Sequence, residues 1–170
     1  MKISGEKAVF VIIGGLTLLV LLVIVLFSLT EQQGKGRQVT QYVKSDSSRP
    51  KANVASFSSD LGKMKVSDEK SAEFTIENNG NKPLSLFKIS TSCDCTFATV
   101  TINNVKSEEF SMHGKSSWTG EVKAGEKATV TVIYKPSIMP VSGPVSREVY
   151  VGTNDPDRPK LTFTISAFVE

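Results

Sequence analysis

Residues 128–135 read ATVTVIYK, a strict alternation in which every second residue points to the same face of an extended chain. One face carries four residues: Ala128, Val130, Val132 and Tyr134. A turn precedes the stretch, because residues 124–126 read AGE and glycine accepts turn geometry easily. The pattern therefore predicts a central β-strand with one buried face.

The same alternation recurs along the chain. From Lys70 onwards it places three apolar side chains on one face of a predicted strand: Ala72, Phe74 and Ile76. In the next segment, residues 84–90, the apolar side chains shift from even-numbered to odd-numbered positions between Leu86 and Phe87. Such a shift indicates a β-bulge. Further strands are predicted at residues 53–57, 96–102, 145–153 and 161–169. About seven short strands separated by turns predict an all-β fold, an antiparallel β-sandwich.

The N-terminal segment has a different character. Residues 8–29 contain no charged side chain, and Thr17 and Ser28 are their only polar side chains. Some 20 apolar residues, at about 1.5 Å each, match the roughly 30 Å hydrocarbon layer of a bilayer. The run predicts a transmembrane helix at residues 8–30 after a short tail at residues 1–7.

The apolar run is followed by neither a small-residue cleavage pattern nor a cysteine that accepts a lipid, so it is interpreted as a retained signal-anchor. The lysines and arginines on its two sides are evenly shared, and the positive-inside rule does not decide orientation. The short N-terminal tail favours an extracytoplasmic domain on a single-pass cell-membrane protein, with a cytoplasmic domain as the alternative.

Residues 31–52 are rich in Gln, Gly, Lys and Ser, contain few large apolar residues and predict a flexible tether, which leaves residues 53–170 for the sandwich. The net charge is +3, and basic and acidic residues are interspersed over most of the domain. The sequence shows no basic patch of the kind that nucleic acids bind, so no nucleic-acid partner is expected. The lipid bilayer is the first expected partner, through the N-terminal helix.

Several short motifs together resemble the bacterial domain family of unknown function DUF1573, which is related to the ASH or Hydin-like immunoglobulin-type domains. They are Phe57, NG at residues 79–80, PL at 83–84, SCDCT at 92–96, AGE at 124–126, VIY at 132–134, TNDP at 153–156 and ISAFV at 165–169. The family usually has glycine where this chain has Asp94, and proline where it has Ala124. The resemblance implies an immunoglobulin-like sandwich of an envelope-facing protein without enzymatic activity, hence a binding or structural module.

Cys93 and Cys95 are the only cysteines. In an extended strand their Cα atoms would be about 6.5–7 Å apart, near the upper limit for a disulfide, and a bend at Asp94 would bring them closer. Three interpretations stay open: a structural role as buried thiols or a disulfide, a thiol redox pair, or a copper or zinc site. A metal would need further ligands, for which His113, Met64, Met112 and Met139 are available, with the adjacent pair Met112 and His113 as the candidates.

The segment from Val105 to Thr119 is longer than a simple hairpin turn. Its Phe110, Met112 and Trp118 are candidate partner-binding residues, since aromatic residues and Met are enriched at interfaces. The alternative is that the two aromatic residues cover the edge of the core.

The sequence carries no complete nucleotide or hydrolase motif. The GKS at residues 114–116 lacks the first glycine of a phosphate-binding loop, and no nucleophile elbow accompanies His113. We therefore expect no enzyme and no cofactor. The expected function is a membrane-anchored binding or scaffold module that contacts another protein through loops or a sheet edge. The alternative is a thiol-redox or soft-metal protein.

Overall fold

The computed structural model describes residues 13–23, 39–114 and 116–170. Residues 13–23 form helix α1, in which the Thr17 hydroxyl donates to the carbonyls of Ile13 and Gly14 at 3.0 and 2.9 Å. The predicted tail, the remainder of the predicted transmembrane helix and residues 31–38 of the predicted tether lie outside the described residues. Within the described ranges, no helix combines the length and apolar character that crossing a bilayer requires.

The chain divides into two compact units, and the second, Val39–Glu170, is a β-sandwich. Its strands are β1 Ala52–Val54, β2 Ser58–Met64, β3 Lys70–Asn78, β4 Leu84–Thr91, β5 Thr96–Ile102, β6 Val105–Lys106, β7 Thr119–Val122, β8 Lys127–Tyr134, β9 Gly143–Thr153 and β10 Lys160–Val169. A short 3-10 turn, Pro136–Ile138, separates β8 from β9. Over the described residues, one sheet has the order β1-β3-β8-β5-β6 and the other β2-β10-β9-β4-β7.

One strand pair departs from the antiparallel arrangement. β2 runs parallel to β10, with Ser58 opposite Thr164 and Met64 opposite Val169, whereas the other named pairs are antiparallel. The prediction of a wholly antiparallel sandwich is therefore wrong for this pair. The first part of the sandwich is divided between the sheets, because β1 pairs with β3 and β2 crosses to β10.

The alternating residues of the central strands fill the space between the sheets. The predicted inward faces of β3, β8 and β10 are all buried, which confirms the period-two interpretation of these strands. Phe74 of β3 and Phe163 of β10 meet across the core with ring centroids 4.8 Å apart. Burying a side chain of this size contributes about 1.5–3 kcal/mol, so these strands supply much of the apolar stabilisation.

The parity change in β4 is a β-bulge, as predicted. The register with β9 shifts between Phe87 and Ser90, and Lys88 adopts φ 49° inside the bulge. The extra residue lets Leu86 and Ile89 both face the core although they are three positions apart.

Three strands were not predicted from the sequence: β2, β6 and β7. β2 has no alternating apolar pattern that would predict a strand. It lies at the edge of its sheet, and backbone pairing with β10 holds it extended. The Lys70 ammonium group donates to the carbonyls of Leu61 and Lys63 at 2.8 Å each. Gly62, at φ 67°, lies where the register with β10 shifts. A bulge and a lysine together protect this edge from pairing with another chain.

The sandwich begins earlier than predicted. Residues 39–51, assigned to the flexible tether from their composition, are part of the compact unit. The amides of Asn79 and Asn81 donate to the carbonyls of Lys51 and Arg49, at 2.9 and 3.2 Å. Gly80 between them leaves no room for a side chain, because a Cβ there would lie 2.5 Å from the Lys51 nitrogen. Backbone hydrogen bonds order this segment, and composition alone does not indicate them.

Candidate functional site at the disulfide end of the sandwich

The two ends of the sandwich differ in what lies against them. At one end the N-terminal segment joins the body, where the Asn154 side chain contacts the carbonyl of Thr40 and the amide of Ser85 at the start of β4. β4 then runs to the other end, where the cysteine loop follows it. We call this second region the disulfide end and define it by residues 92–95, residues 135–139, Arg147 and residues 112–113.

Cys93 and Cys95 are joined in a disulfide, with Cα atoms 5.2 Å apart. The separation is smaller than in an extended strand because the chain turns at Asp94, and the amide of Thr96 donates to the carbonyl of Cys93 at 3.1 Å. The amide of Cys95 also approaches the sulfur of Cys93 at 3.0 Å. Of the interpretations open for the pair, the structure shows the oxidised form, in which neither sulfur is free to bind a metal as a thiolate.

The disulfide stabilises the fold only slightly. It links residues two positions apart, and the entropy lost by closing so short a loop in the unfolded chain corresponds to less than about 2 kcal/mol. The bond therefore contributes little compared with the core.

Arg147 of β9 lies against the disulfide. Its Nε donates to Cys95 Sγ at 3.3 Å, its Nη1 donates to the carbonyl of Ser146, and the guanidinium carbon is 5.7 Å from the centroid of the Tyr134 ring. The two acceptors of this guanidinium, the Cys95 sulfur and the Ser146 carbonyl, are both uncharged. Sequence analysis missed Arg147, because 52 positions separate it from Cys95 and only strand pairing brings them together.

The two sulfurs have unequal surroundings. Cys95 is fully buried, whereas Cys93 keeps 8% of its surface accessible and its Sγ is 3.8 Å from the thioether of Met139. Met139 and its neighbour Ile138 are about half exposed, at 49% and 48%, and Met112 is 44% exposed. Ile138 and Met139 are adjacent in the chain, and Met112 precedes His113, which reaches the cysteine loop. We call these three exposed side chains of the disulfide end the Met139 patch.

His113 reaches the cysteine loop without contacting a sulfur. Its Nε2 is 3.5 Å from Asp94 Oδ2, and both side chains are largely in solvent. In the described part of the chain, no group of three or more His, Cys, Asp or Glu side chains is arranged to hold a metal ion. The thioether in contact with Cys93 belongs to Met139, one of the available methionines, and not to Met112, the preferred one.

The predicted partner-binding residues divide between core and surface. Phe110 is buried and exchanges two backbone hydrogen bonds with Ala98 of β5. Trp118 packs on it edge to face, with ring centroids 5.5 Å apart, and is partly buried. Met112 is the exposed member of the three and belongs to the Met139 patch. Lys115 in the same loop lies outside the described residues.

The indole ring of Trp118, the single tryptophan of the chain, packs directly against Gly120. A Cβ at this position would lie 2.7 Å from Cζ2 of the indole and 2.7 Å from Cδ1 of Ile102. We expect Gly120→Ala to displace the ring, red-shift the tryptophan emission and lower the free energy of unfolding by about 1–3 kcal/mol. Fluorescence spectra and urea titrations check this.

Gly114→Ala is the matched control for Gly120→Ala, since its nearest neighbour is the movable Ser111 hydroxyl at 3.1 Å. It should leave emission and stability nearly unchanged. An unshifted spectrum for Gly120→Ala would mean that the indole does not rest on this glycine.

Comparison with known proteins supports the fold and gives no assigned activity. Residues 52–112 match the family model described as Protein of unknown function (DUF1573). No functionally curated protein matches the sequence.

Solved structures share the architecture at low identity. A protein of unknown function from Porphyromonas gingivalis W83 aligns with 18% identity and a TM-score of 0.52, over 70% of this chain and 46% of that one. The chain thus spans less than half of that protein. The ASH/PapD-like domain 7 of human CEP192 aligns with 14% identity and a TM-score of 0.45, over 79% of this chain and 96% of that one. The chain is therefore similar to the DUF1573 family over residues 52–112 and has a β-sandwich fold that the Porphyromonas gingivalis protein shares.

Proposed function

We propose that the chain is a membrane-anchored, non-catalytic binding or scaffold module whose sandwich lies outside the cytoplasm and binds another protein. The Met139 patch is the observation that carries this proposal. Its members, Met112, Ile138 and Met139, are exposed apolar side chains at the end of the sandwich opposite the docked residues 39–51. Apolar groups exposed together, rather than singly, are typical of contact surfaces.

The side chains of the patch suit a protein partner. Methionine is unbranched and polarisable, so it adapts its shape to different apolar surfaces. The β2 edge is a poorer candidate, because Lys70 already occupies the carbonyls of Leu61 and Lys63. Loops, rather than an edge strand, are therefore the proposed contact.

Two features favour membrane attachment and an extracytoplasmic location. Residues 8–29 are uncharged, and the described helix at residues 13–23 lies within them. A disulfide persists in oxidising compartments and is rare in the cytoplasm, so the Cys93–Cys95 bond fits the outer side of the membrane.

Site-specific photo-crosslinking in intact cells tests partner binding. A photoreactive residue at position 112 in the full chain should give a discrete crosslinked protein. The double substitution Ile138→Ser with Met139→Ser should reduce that product at least severalfold, because it removes the apolar contact surface.

The matched control for the patch is Val105→Ser with Phe168→Ser, which removes two exposed apolar side chains (73% and 45% exposed) outside the patch. It should leave the crosslink intact. Equal yields from the patch variant and the wild type would contradict the proposed surface.

Fractionation of the same cells tests the attachment. The full chain should stay in the membrane pellet after an alkaline wash, and a chain without residues 1–30 should be released. Added protease should digest the sandwich in cells whose cytoplasmic membrane is intact. Release of the full chain, or protection of the sandwich, would contradict the attachment or the location, respectively.

The second candidate function is thiol redox chemistry or soft-metal binding at Cys93 and Cys95. The metal version requires free thiolates, and the disulfide holds both sulfurs. The contact between Arg147 Nε and Cys95 Sγ favours the redox version.

A further inference from the structure

We propose that the Cys93–Cys95 disulfide is an electron acceptor for protein dithiols, in which Cys93 is attacked and Cys95 leaves as a thiolate held by Arg147. The proposal does not depend on the membrane attachment or on the partner surface proposed above. It rests on the unequal environments of the two sulfurs.

The leaving group is defined by charge. The Arg147 Nε lies 3.3 Å from Cys95 Sγ, so a thiolate formed there would accept a charge-assisted hydrogen bond inside the protein. The other charged groups at this end form pairs: Asp94 faces His113 at 3.5 Å, and Lys135 faces Glu69 at 3.1 Å. The acceptors that Arg147 already has, Cys95 Sγ and the carbonyl of Ser146, are uncharged, so a thiolate at Cys95 would be a charged partner for the guanidinium.

The attacked sulfur is assigned by access. Cys95 is fully buried, and Cys93 is the residue of the pair that keeps some accessible surface, 8%. The thioether of Met139 lies 3.8 Å from Cys93 Sγ, and this side chain is half exposed. A long, unbranched side chain with one side in solvent can move aside for an incoming thiolate.

The exchange balances as a two-electron transfer. A thiolate of the partner dithiol attacks Cys93 Sγ, a mixed disulfide forms, and the bond to Cys95 breaks with the electron pair on Cys95. The second thiolate of the partner then attacks the partner sulfur that is bonded to Cys93. The partner's disulfide forms, and Cys93 leaves as a thiolate. The partner dithiol is oxidised to a disulfide, the cysteine pair is reduced, and the partner's two protons go to solvent or to the new thiolates.

Arginine at the leaving sulfur has two expected effects. It stabilises the reduced form, which makes the pair a stronger oxidant, and it speeds the first step, since a better-stabilised thiolate leaves faster. The loop between the cysteines is a single residue, so reduction should leave the sandwich folded.

Equilibration of the full chain in detergent with dithiothreitol, a small dithiol, tests the proposal. The wild type should be reduced while its circular dichroism spectrum stays that of the folded protein. Arg147→Gln should lower the equilibrium constant for reduction about tenfold, equivalent to about 30 mV, and slow reduction severalfold. Arg147→Lys keeps the charge and should recover part of both effects.

Lys135→Gln is the matched control, because it removes a positive charge from the same end without touching a sulfur. It should change neither the rate nor the equilibrium. The ultraviolet absorbance of the reduced protein should show a thiolate that persists at lower pH in the wild type than in Arg147→Gln, a signal that a purely structural arginine would not move.

Single-cysteine variants identify the attacked sulfur. With glutathione disulfide, Cys95→Ala should form a mixed disulfide at Cys93 at least tenfold faster than Cys93→Ala forms one at Cys95. Comparable rates would overturn the assignment of roles. Reduction that occurs only when the sandwich unfolds, or an unchanged equilibrium in Arg147→Gln, would overturn the whole proposal and leave a structural disulfide, whatever the crosslinking result.

Discussion

Asn78→Ala should lower the free energy of unfolding by about 3–4 kcal/mol, enough to reduce the melting temperature by roughly 10 °C or more. Asn78 ends β3 and is fully buried. Its Oδ1 accepts hydrogen bonds from the amides of Lys51 and Gly80, at 3.2 and 3.0 Å. Its Nδ2 donates to the carbonyls of Lys82 and Val122, at 2.8 and 2.9 Å.

The size of this effect follows from what alanine leaves behind. Four backbone groups from three separate segments lose their partner in a place that water reaches poorly, and an unsatisfied buried group costs about 1–3 kcal/mol. Thermal and urea unfolding of the variant measure the loss. Asn79→Ala is the matched control, since the neighbouring side chain is exposed, and it should change stability by less than about 0.5 kcal/mol. Similar losses in the two variants would show that the Asn78 network does not hold these segments.

Asp155→Ala should cost about 2–4 kcal/mol and free the N-terminal segment locally. The carboxylate is buried in the turn between β9 and β10, where it accepts hydrogen bonds from the amides of Ala52 at 2.9 Å and Asp157 at 3.0 Å. Arg49 Nη1 lies 4.0 Å from its Oδ1. Hydrogen exchange should show loss of protection at the Ala52 amide, because that buried donor loses its acceptor.

Asp157→Ala gives the contrast within the same turn. Asp157 also contacts Arg49, at 2.6 Å, but its side chain is 46% exposed. An exposed ion pair contributes little, so this substitution should cost less than about 1 kcal/mol and leave the Ala52 amide protected. A larger loss from Asp157→Ala than from Asp155→Ala would contradict the view that buried hydrogen bonding, rather than the ion pair, secures the segment.

The two networks explain why the extent of the domain was misjudged from the sequence. Residues 39–51 contain few large apolar side chains, and composition therefore predicts a free tether. Their order comes from Asn78, Gly80 and Asp155, which lie far away in the chain and supply hydrogen bonds and a close backbone fit. Such partners become neighbours only after the sheets have formed.

The candidate site shows the same division. The cysteine pair and its turn at Asp94 are local, and their spacing already allowed a disulfide. The asymmetry between the sulfurs is not local, since Arg147 comes from β9 and Met139 from the turn after β8. His113 was predicted as a companion of the cysteines and does reach their loop, but it faces the Asp94 carboxylate.

The sequence by itself determined which residues form the central strands and which of their faces are buried, because side chains alternate with a period of two whatever the strand later pairs with. It also determined the bulge in β4, because the apolar side chains of this strand shift from even-numbered to odd-numbered positions. Only the tertiary structure decided the parallel pairing of β2 with β10, the docking of residues 39–51 and the placement of Arg147 on Cys95. These depend on contacts between distant segments, and neither local propensity nor hydrophobic period encodes which distant partner a polar group meets.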